Sequence, residues 1–500
     1  MEVHNSENLI KLLQRTYNFN KIQFWLNGEY ITAEIPPAQT TLEFLHNNQH
    51  LYGTKCSCNE GDCGACTVVI AYVKEGNIVY EAINSCLYNA AKLHGKHLIT
   101  IEGLGTPEHL HPIQEVMYKQ HSLQCGYCSP GFVMSLFALL ANSSHPDEEE
   151  ILASLEGNLC RCGSYQSILR ATRELSENFT TSDIIPDWCR AIEPRLFCFK
   201  DKSETVQRTG KLFFPCTSYL IPRSLPELKD ILQDEPEAVF ITGGTDVMVR
   251  MNIQKEEIPV LIDLSELPEL KQINYTKQGI IIGAGVTYSD IQHSGIIKSD
   301  LPSLYELVNK IASRQIRNFA TLAGNIANAS PIGDTLPLLL VMDASLTLLS
   351  SCGIREIPLQ DFFLDYRKTK LQPKEIIEEI IIPVPAKDAF IRTTKATKRK
   401  AVDISSVVSA IKIVSEAGII QEAQLAFGGV APIPKLSSKF PELIIGKSKE
   451  EINPLEFAEL IADEFNPISD VRGSKEYRQL VIRNQVLNYL QEFLEGGFNE

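Results

Sequence analysis

Eight of the thirteen cysteines in this 500-residue chain fall into two compact groups, and their spacing restricts the fold more than any other feature. In the first group Cys58, Cys63 and Cys66 follow the pattern C-x4-C-x2-C, and Cys86 is the evident fourth member. Thiolates so spaced must reach two metal centres from one loop, and that loop must curl tightly enough to aim backbone N–H groups at negatively charged sulfur. Gly61 and Gly64 permit the curl, because glycine enters positive φ without a Cβ clash. This is the spacing of a [2Fe–2S] cluster. A disulfide framework fits less well, since no secretory leader is expected ahead of the group. Zinc sites ordinarily show two closely spaced pairs instead of x4 followed by x2. Cys56 stands just outside the pattern, near enough to Cys58 to leave open which sulfur binds.

The second group has a different setting. Gln124-Cys125-Gly126-Tyr127-Cys128-Ser129-Pro130-Gly131 leads into an apolar run over 132–140, which predicts a helix with Ser129 as N-cap and Pro130 at its first position. Pro146 and the acidic run 147–150 predict another helix start, because carboxylates favour the positive end of the helix dipole. That helix leads to Gly157-Asn158-Leu159-Cys160-Arg161-Cys162. Two helix pairs therefore bring Cys125, Cys128, Cys160 and Cys162 to one point. C-x2-C followed by C-x-C points to a second [2Fe–2S] cluster, with a four-thiolate zinc site as the alternative. Arg161 offsets thiolate charge in either case. The other five cysteines, Cys56, Cys189, Cys198, Cys216 and Cys352, are scattered; eight in two compact groups with five left over is metal-site usage and not a disulfide framework.

A formal charge of −15 disfavours nucleic acid and anionic lipid as partners. The strongest basic stretch, residues 395–400, reads as a solvated loop or a small anion site. Without a run of 18 apolar residues no membrane span is expected, and a reducing cytoplasm follows as the default. Taken in order, residues 1–20 read as an extension with a short helix-like pattern. A β-hairpin about Asn27-Gly28, a helix over 41–47 and alternating strands near 67–73 and 78–82 surround the first cysteine group in a mixed α+β unit, 21–107. The helical second group occupies 108–176. Composition loosens over 177–210, with Pro186 and Pro194, and reads as a linker. An α/β region fills 211–386, and an α+β domain with an amphipathic C-terminal helix fills 387–500.

Two glycine-rich places stand out. Thr242-Gly243-Gly244-Thr245-Asp246 follows a strand, and Thr321-Leu322-Ala323-Gly324-Asn325 precedes a small-residue run ending at Asp334. Such loops suit a pyrophosphate wrapped by backbone N–H groups. Glycine turns after strands are mostly just turns, however, and neither is the G-x-G-x-x-G of a Rossmann fold. No nucleophile motif attends the cysteines. Two clusters and a flavin-type loop suggest electron transfer, because one-electron carriers need a two-electron partner to finish redox chemistry on an organic substrate. A zinc-stapled interaction protein is the reading from another class.

Taken together, the chain resembles the small subunit of bacterial xanthine dehydrogenases, in the molybdenum hydroxylase family, over nearly its whole length. The resemblance rests on residues 60–67, 124–131 and 157–162. Gly243-Gly244-Thr245-Asp246, the segments 323–326 and 329–334, and Asp470-Val471-Arg472-Gly473-Ser474-Lys475-Glu476-Tyr477-Arg478 add to it. It implies a β-grasp ferredoxin-like domain, a four-helix-type [2Fe–2S] bundle, an α+β FAD-binding domain of the vanillyl-alcohol-oxidase (PCMH) type, and a C-terminal α+β domain of the CO dehydrogenase flavoprotein type. It further implies that Cys58, Cys63, Cys66 and Cys86 hold one cluster, and Cys125, Cys128, Cys160 and Cys162 the other. Gln124 matches a position beside the molybdopterin of a partner subunit. Phe240, Ile241, Thr242, Gly243, Gly244, Thr245, Asp246 and Val247 match the FAD pyrophosphate loop. Ile311, Thr321, Asn325, Asp334 and Lys395 match other flavin contacts. The implied enzyme passes electrons from a molybdenum centre on a large subunit through both clusters and FAD to NAD, in a heterotetramer of two small and two large subunits. The sequence departs from the family's pattern at Cys56, where an acidic residue is usual, and at Gly163-Ser164, where Thr-Gly is usual. Those changes touch cluster environment more than ligation.

Overall fold

The computed structural model describes residues 20–199, 218–234 and 238–496. The helix-like pattern expected before Asn20 lies outside the described residues, as do positions 200–210 of the expected linker and Cys216. The chain divides into two compact units, one built from 1–221, 238–263 and 313–319 and the other from 222–237, 264–312 and 320–500.

The first unit is organised by a five-stranded sheet of order β2-β1-β5-β3-β4, made from β1 (Asn20–Leu26), β2 (Glu29–Ile35), β3 (Thr67–Lys74), β4 (Asn77–Asn84) and β5 (His97–Ile99). Only the β1–β5 pair is parallel, which gives the β-grasp arrangement. Asn27 and Gly28 both take positive φ, 47° and 90°, so the β1–β2 turn is the expected type I′. β3 explains why the sheet is buried on both faces. Val69 and Ala71 point into a core shared with the following helices, while Val68 and Ile70 point into a second core with Phe24, Leu42, Phe44 and Leu45. A strand covered on two sides reads as a continuous apolar run instead of alternating.

Four helices follow: Pro112–Lys119, Ser129–Asn142, Glu148–Leu155 and Tyr165–Asn178. Ser129–Asn142 is buried continuously from Gly131 to Ala141, and the other three surround it. The expected cap needs correction by one position. Gly126 turns the Cys125–Cys128 loop with φ 78°, so the helix already begins at Ser129 with Cys128 as N-cap, and no side chain caps it. Asp147 does cap Glu148–Leu155, exchanging hydrogen bonds with Glu150.

The linker reading also fails over 177–199. Helices Thr181–Ile184, Asp187–Arg190 and Glu193–Phe197 bury Ile184, Cys189, Ile192 and Leu196 in the same core, and the Tyr80 hydroxyl donates to Glu193 at 2.5 Å. Pro186 and Pro194, which suggest a loop, stand at helix starts, where proline is tolerated. The unit is completed by a parallel three-stranded sheet of order β6-β8-β7: β6 (Ser218–Leu220), β7 (Val239–Ile241) and β8 (Val260–Asp263). Its Tyr219, Ile241 and Leu261 share a core with Cys66, Cys86 and Leu87.

The second unit holds an antiparallel sheet of order β12-β11-β15-β10-β9, with β9 (Ile273–Tyr275), β10 (Ile280–Gly283), β11 (Ser345–Ser350), β12 (Gly353–Pro358) and β15 (Glu375–Ile382). β13 (Phe363–Asp365) and β14 (Lys368–Thr369) form a hairpin. A second antiparallel sheet, β16 (Phe390–Ala396), β17 (Val407–Glu416), β18 (Ile419–Gly428) and β19 (Lys435–Leu436), packs on helices Pro454–Ala462 and Lys475–Leu494 through Phe427, Ile461, Ile482, Val486 and Leu490. Among the described residues no helix is long and apolar enough to cross a membrane.

Candidate functional site

The loop that carries the first cysteine group ends where β3 begins, so its last sulfur is fixed by the sheet. Gly61 and Gly64 take φ 86° and 66°, the curl the spacing demands. The thiols come together in two pairs, Cys58 with Cys63 and Cys66 with Cys86. Hydrogen bonding from Cys63, with the N–H groups of Glu60, Cys63 and Asp62 and against the opposing effect of burial, brings Cys58 down to about 5. Cys66 is drawn down by Cys86 and by the Asn84 amide at 3.8 Å, while Cys86 accepts from the Gly61 N–H. Cys66 and Cys86 are buried, Cys58 and Cys63 half-buried. Cys56 is exposed and outside both pairs; burial, then Cys66 and Cys58, raise its thiol, and its carbonyl accepts from the Tyr127 hydroxyl.

The second foursome pairs Cys125 with Cys162 and Cys128 with Cys160. Burial alone raises Cys160, but the Ser164 N–H at 3.4 Å and the Cys128 thiol bring it down. Burial pushes Cys128 up to about 12. Cys125 and Cys162 are exposed, and Gln124 lies beside them, its Nε2 3.4 Å from the Cys162 carbonyl. Among the described residues no three or more of His, Cys, Asp and Glu are gathered as ligands of a single ion. Sulfurs paired two and two suit a two-iron cluster, in which each iron takes two thiolates, better than the four-thiolate zinc alternative.

The two loops touch directly. The Leu159 N–H donates to the Cys63 carbonyl at 2.9 Å, and Asn158 Nδ2 donates to the Gly64 carbonyl at 3.0 Å. Asn158 Oδ1 in turn accepts from Ser135 at 2.7 Å and from Gln315 at 3.0 Å. Backbone approaches so closely here that a Cβ on Gly64 would lie 2.3 Å from the Gly157 carbonyl, and one on Gly131 2.3 Å from the Gly64 carbonyl. Sequence reasoning missed Asn158 and Gln315 as bridging residues, although Asn158 lies in a motif it singled out.

The residues matched to flavin contacts fall in both units. In the first unit Phe240 and Ile241 end β7, and Gly244, at φ 74°, turns the loop into the helix Thr245–Val249. The Thr242 carbonyl accepts from Lys92 Nζ at 2.7 Å, and the same ammonium lies 3.1 Å from Asp263, which also accepts from Tyr219 at 2.5 Å. Both side chains of that ion pair are buried, at 5% and 0% exposure, so the loop is anchored by a charge pair with no local sequence signal. Asp246 Oδ2 stands 3.9 Å from Arg250.

In the second unit Thr321 caps Leu322–Asn328, accepting the Gly324 N–H at 3.0 Å, and so sets Asn325 on the first turn. Asn325 accepts from Thr335 at 2.8 Å. Asp334 accepts from Ser405 at 2.5 Å and pairs with Lys395 at 2.8 Å; Lys395 also donates to the Lys310 carbonyl, next to Ile311, at 3.1 Å. Ile311, Asn325, Asp334 and Lys395 therefore gather. Lys395 does not belong to a solvated basic loop: it sits in β16 with its side chain buried against Asp334.

Four family descriptions match the chain in order. They are the 2Fe-2S iron-sulfur cluster binding domain over 24–88, the [2Fe-2S] binding domain over 100–173, the FAD binding domain in molybdopterin dehydrogenase over 214–385, and the CO dehydrogenase flavoprotein C-terminal domain over 392–493. These domains, in this order, support placing the chain with the iron–sulfur and flavin part of the molybdenum hydroxylase family. Among curated molybdenum hydroxylases it is 30% identical to aldehyde oxidase 2 of Rattus norvegicus, over 95% of this chain and 39% of that protein. It is 30% identical to xanthine dehydrogenase of Blastobotrys adeninivorans, over 96% of this chain and 41% of that protein. The chain thus spans about two-fifths of the curated relatives it matches. A solved chain of quinoline 2-oxidoreductase from Pseudomonas putida 86 is matched over its full length, 100%, and over 58% of this chain, at 25% identity and a TM-score of 0.53.

Proposed function

We propose that this chain is the electron-transfer subunit of a xanthine dehydrogenase, oxidising hypoxanthine and xanthine to urate together with a molybdenum-bearing large subunit. Cys125, Cys128, Cys160 and Cys162 hold the cluster that receives electrons, beside Gln124, which faces the partner's molybdopterin. Cys58, Cys63, Cys66 and Cys86 hold the second cluster. Residues 240–247 with Ile311, Thr321, Asn325, Asp334 and Lys395 hold FAD, which turns one-electron arrivals into a two-electron delivery to NAD. The chain's own residues favour the thiolate at one sulfur of each pair, Cys58, Cys66, Cys125 and Cys160, bury Cys66 and Cys86, and place a buried lysine against a carboxylate at Lys92–Asp263 and at Lys395–Asp334. The assembly is a heterotetramer of two small and two large subunits in a reducing cytoplasm.

The observation that carries this reading is the direct hydrogen bond between the two cysteine loops, Leu159 N–H to the Cys63 carbonyl. Loops meant for independent structural metals have no need of it. A second reading, in which the partner hydroxylates an aldehyde or another N-heterocycle, is supported by the equal 30% identity to an aldehyde oxidase. Co-purification with the large subunit followed by xanthine-dependent NAD reduction tests the first. Aldehyde turnover without xanthine turnover would select the second. Colourless, zinc-loaded protein instead of about four irons and one flavin per chain would defeat both.

A further inference from the structure

The Gly243-Gly244 loop opens a helix that ends on the first cysteine group. Thr245–Val249 runs without interruption into a widened π-turn, Arg250–Gln254. Such a turn re-aims the side chains it carries and is frequent at functional positions. The side chain it re-aims here is Asn252. Asn252 Nδ2 donates to the Cys86 carbonyl at 2.8 Å and to the Asn59 carbonyl at 3.3 Å. Cys86 is the last of the four thiols and Asn59 follows the first, so one amide grips both ends of the foursome. The sulfur of Cys86 accepts from Gly61, two residues beyond Asn59, which closes a small ring of hydrogen bonds around Asn252. Lys92 pins the same segment at its other end through the Thr242 carbonyl. Gly244 and Asn252 are separated by roughly 12 Å of helix, a span that does not stretch.

We propose that Asn252 is a positioning residue that sets electron passage from the Cys58/Cys63/Cys66/Cys86 cluster to the flavin. The proposal rests on the electron-transfer reading above. Each passage oxidises the cluster by one electron and adds one to the flavin; two passages with two protons from water complete the flavin's reduction. Asn252 takes no part in that exchange. It holds the Cys86 and Asn59 carbonyls against the helix that carries the flavin loop, so the gap the electron crosses is fixed by one rigid rod.

The test uses the full chain loaded with iron and FAD, in wild type, Asn252→Asp and Asn252→Ser forms. Asn252→Asp keeps the size and turns a donor toward two carbonyls into an acceptor; Asn252→Ser shortens the reach without adding charge. A pulse of reductant smaller than the cofactor content is delivered, and redistribution between iron–sulfur and flavin is followed by absorbance. Redistribution is expected to slow about ten-fold, as for loss of an outer partner of a metal ligand. The midpoint potential of this cluster, followed by electron paramagnetic resonance, shifts while that of the other cluster stays. Wild-type redistribution and an unmoved potential in a variant that binds iron and flavin normally would overturn the proposal. Wild-type chain that binds no flavin, or whose flavin takes no electrons from the clusters, would instead overturn the electron-transfer reading itself.

Discussion

His97 is a base kept neutral by its surroundings. Its Nε2 accepts the Gly28 N–H at 3.1 Å, Nδ1 faces the buried Cys189 sulfur at 3.9 Å, and burial pushes its pKa down to about 3. An unfolded histidine titrates near 6.5, so below that pH the unfolded chain binds a proton the native one refuses. Stability is therefore full above about pH 6.5 and is lost at about 1.4 kcal/mol per pH unit as pH falls toward the folded value. Burial moves His111 the same way, with its bond to the Ile184 carbonyl opposing. Urea midpoints should be flat above neutrality and fall on acidification, and His97→Gln should show a shallower fall; an unchanged slope would remove His97 from the account. Lys92 obeys a different rule. Lys92→Met removes the buried ammonium that faces Asp263 and should destabilise the first unit by about 3 kcal/mol, whereas adding Asp263→Leu should recover part of the loss. Neither effect was legible in the sequence. Cysteine spacing announces itself over a few residues, while a lysine in the run Ala90-Ala91-Lys92-Leu93 gives no hint that its carboxylate lies at 263.

Among elements, the helix Ser129–Asn142 shows where pattern reading succeeds and where it stops. Its apolar run told that it is buried, and Gly61 and Gly64 told that the facing loop curls. That Gly131 lies against the Gly64 carbonyl is a tertiary fact with no periodic trace. The misread linker has the same origin, because its short helices 181–197 are too brief to show a period and their prolines look like loop signals until the helix starts are seen. Gly131→Ala must push the helix off the first cysteine loop, since its new Cβ meets backbone oxygen that no side-chain motion relieves. Overpacking of this kind costs roughly 1–3 kcal/mol. The measurement is urea unfolding alongside iron retention: a lowered midpoint with loosened iron is expected, and wild-type values for both would show that the two loops tolerate separation.

Across the whole chain, exposure runs in one direction. Cys125, Cys162 and Gln124 are open to solvent, while Cys66 and Cys86 are closed in a core shared with Ile241, at the end of the strand that leads to the Gly243-Gly244 loop. Spacing pointed to both groups of cysteines, and the structure brings their thiols together two by two. The two glycine-rich loops stood out by themselves, but Asp334 and Lys395 were matched to flavin contacts only through family likeness, because no spacing rule joins positions so far apart in the chain. The outward foursome suits a donor on another chain, and the inward one suits hand-over within this chain. If that polarity sets the order of transfer, Cys125→Ser should abolish partner-driven flavin reduction while leaving the flavin bound and reducible by dithionite. The other cluster's spectrum should also survive, because its four sulfurs lie on other segments of the chain, 58–66 and Cys86 after β4. Unimpaired turnover with the partner would mean that electrons bypass the exposed foursome and reach the buried one directly.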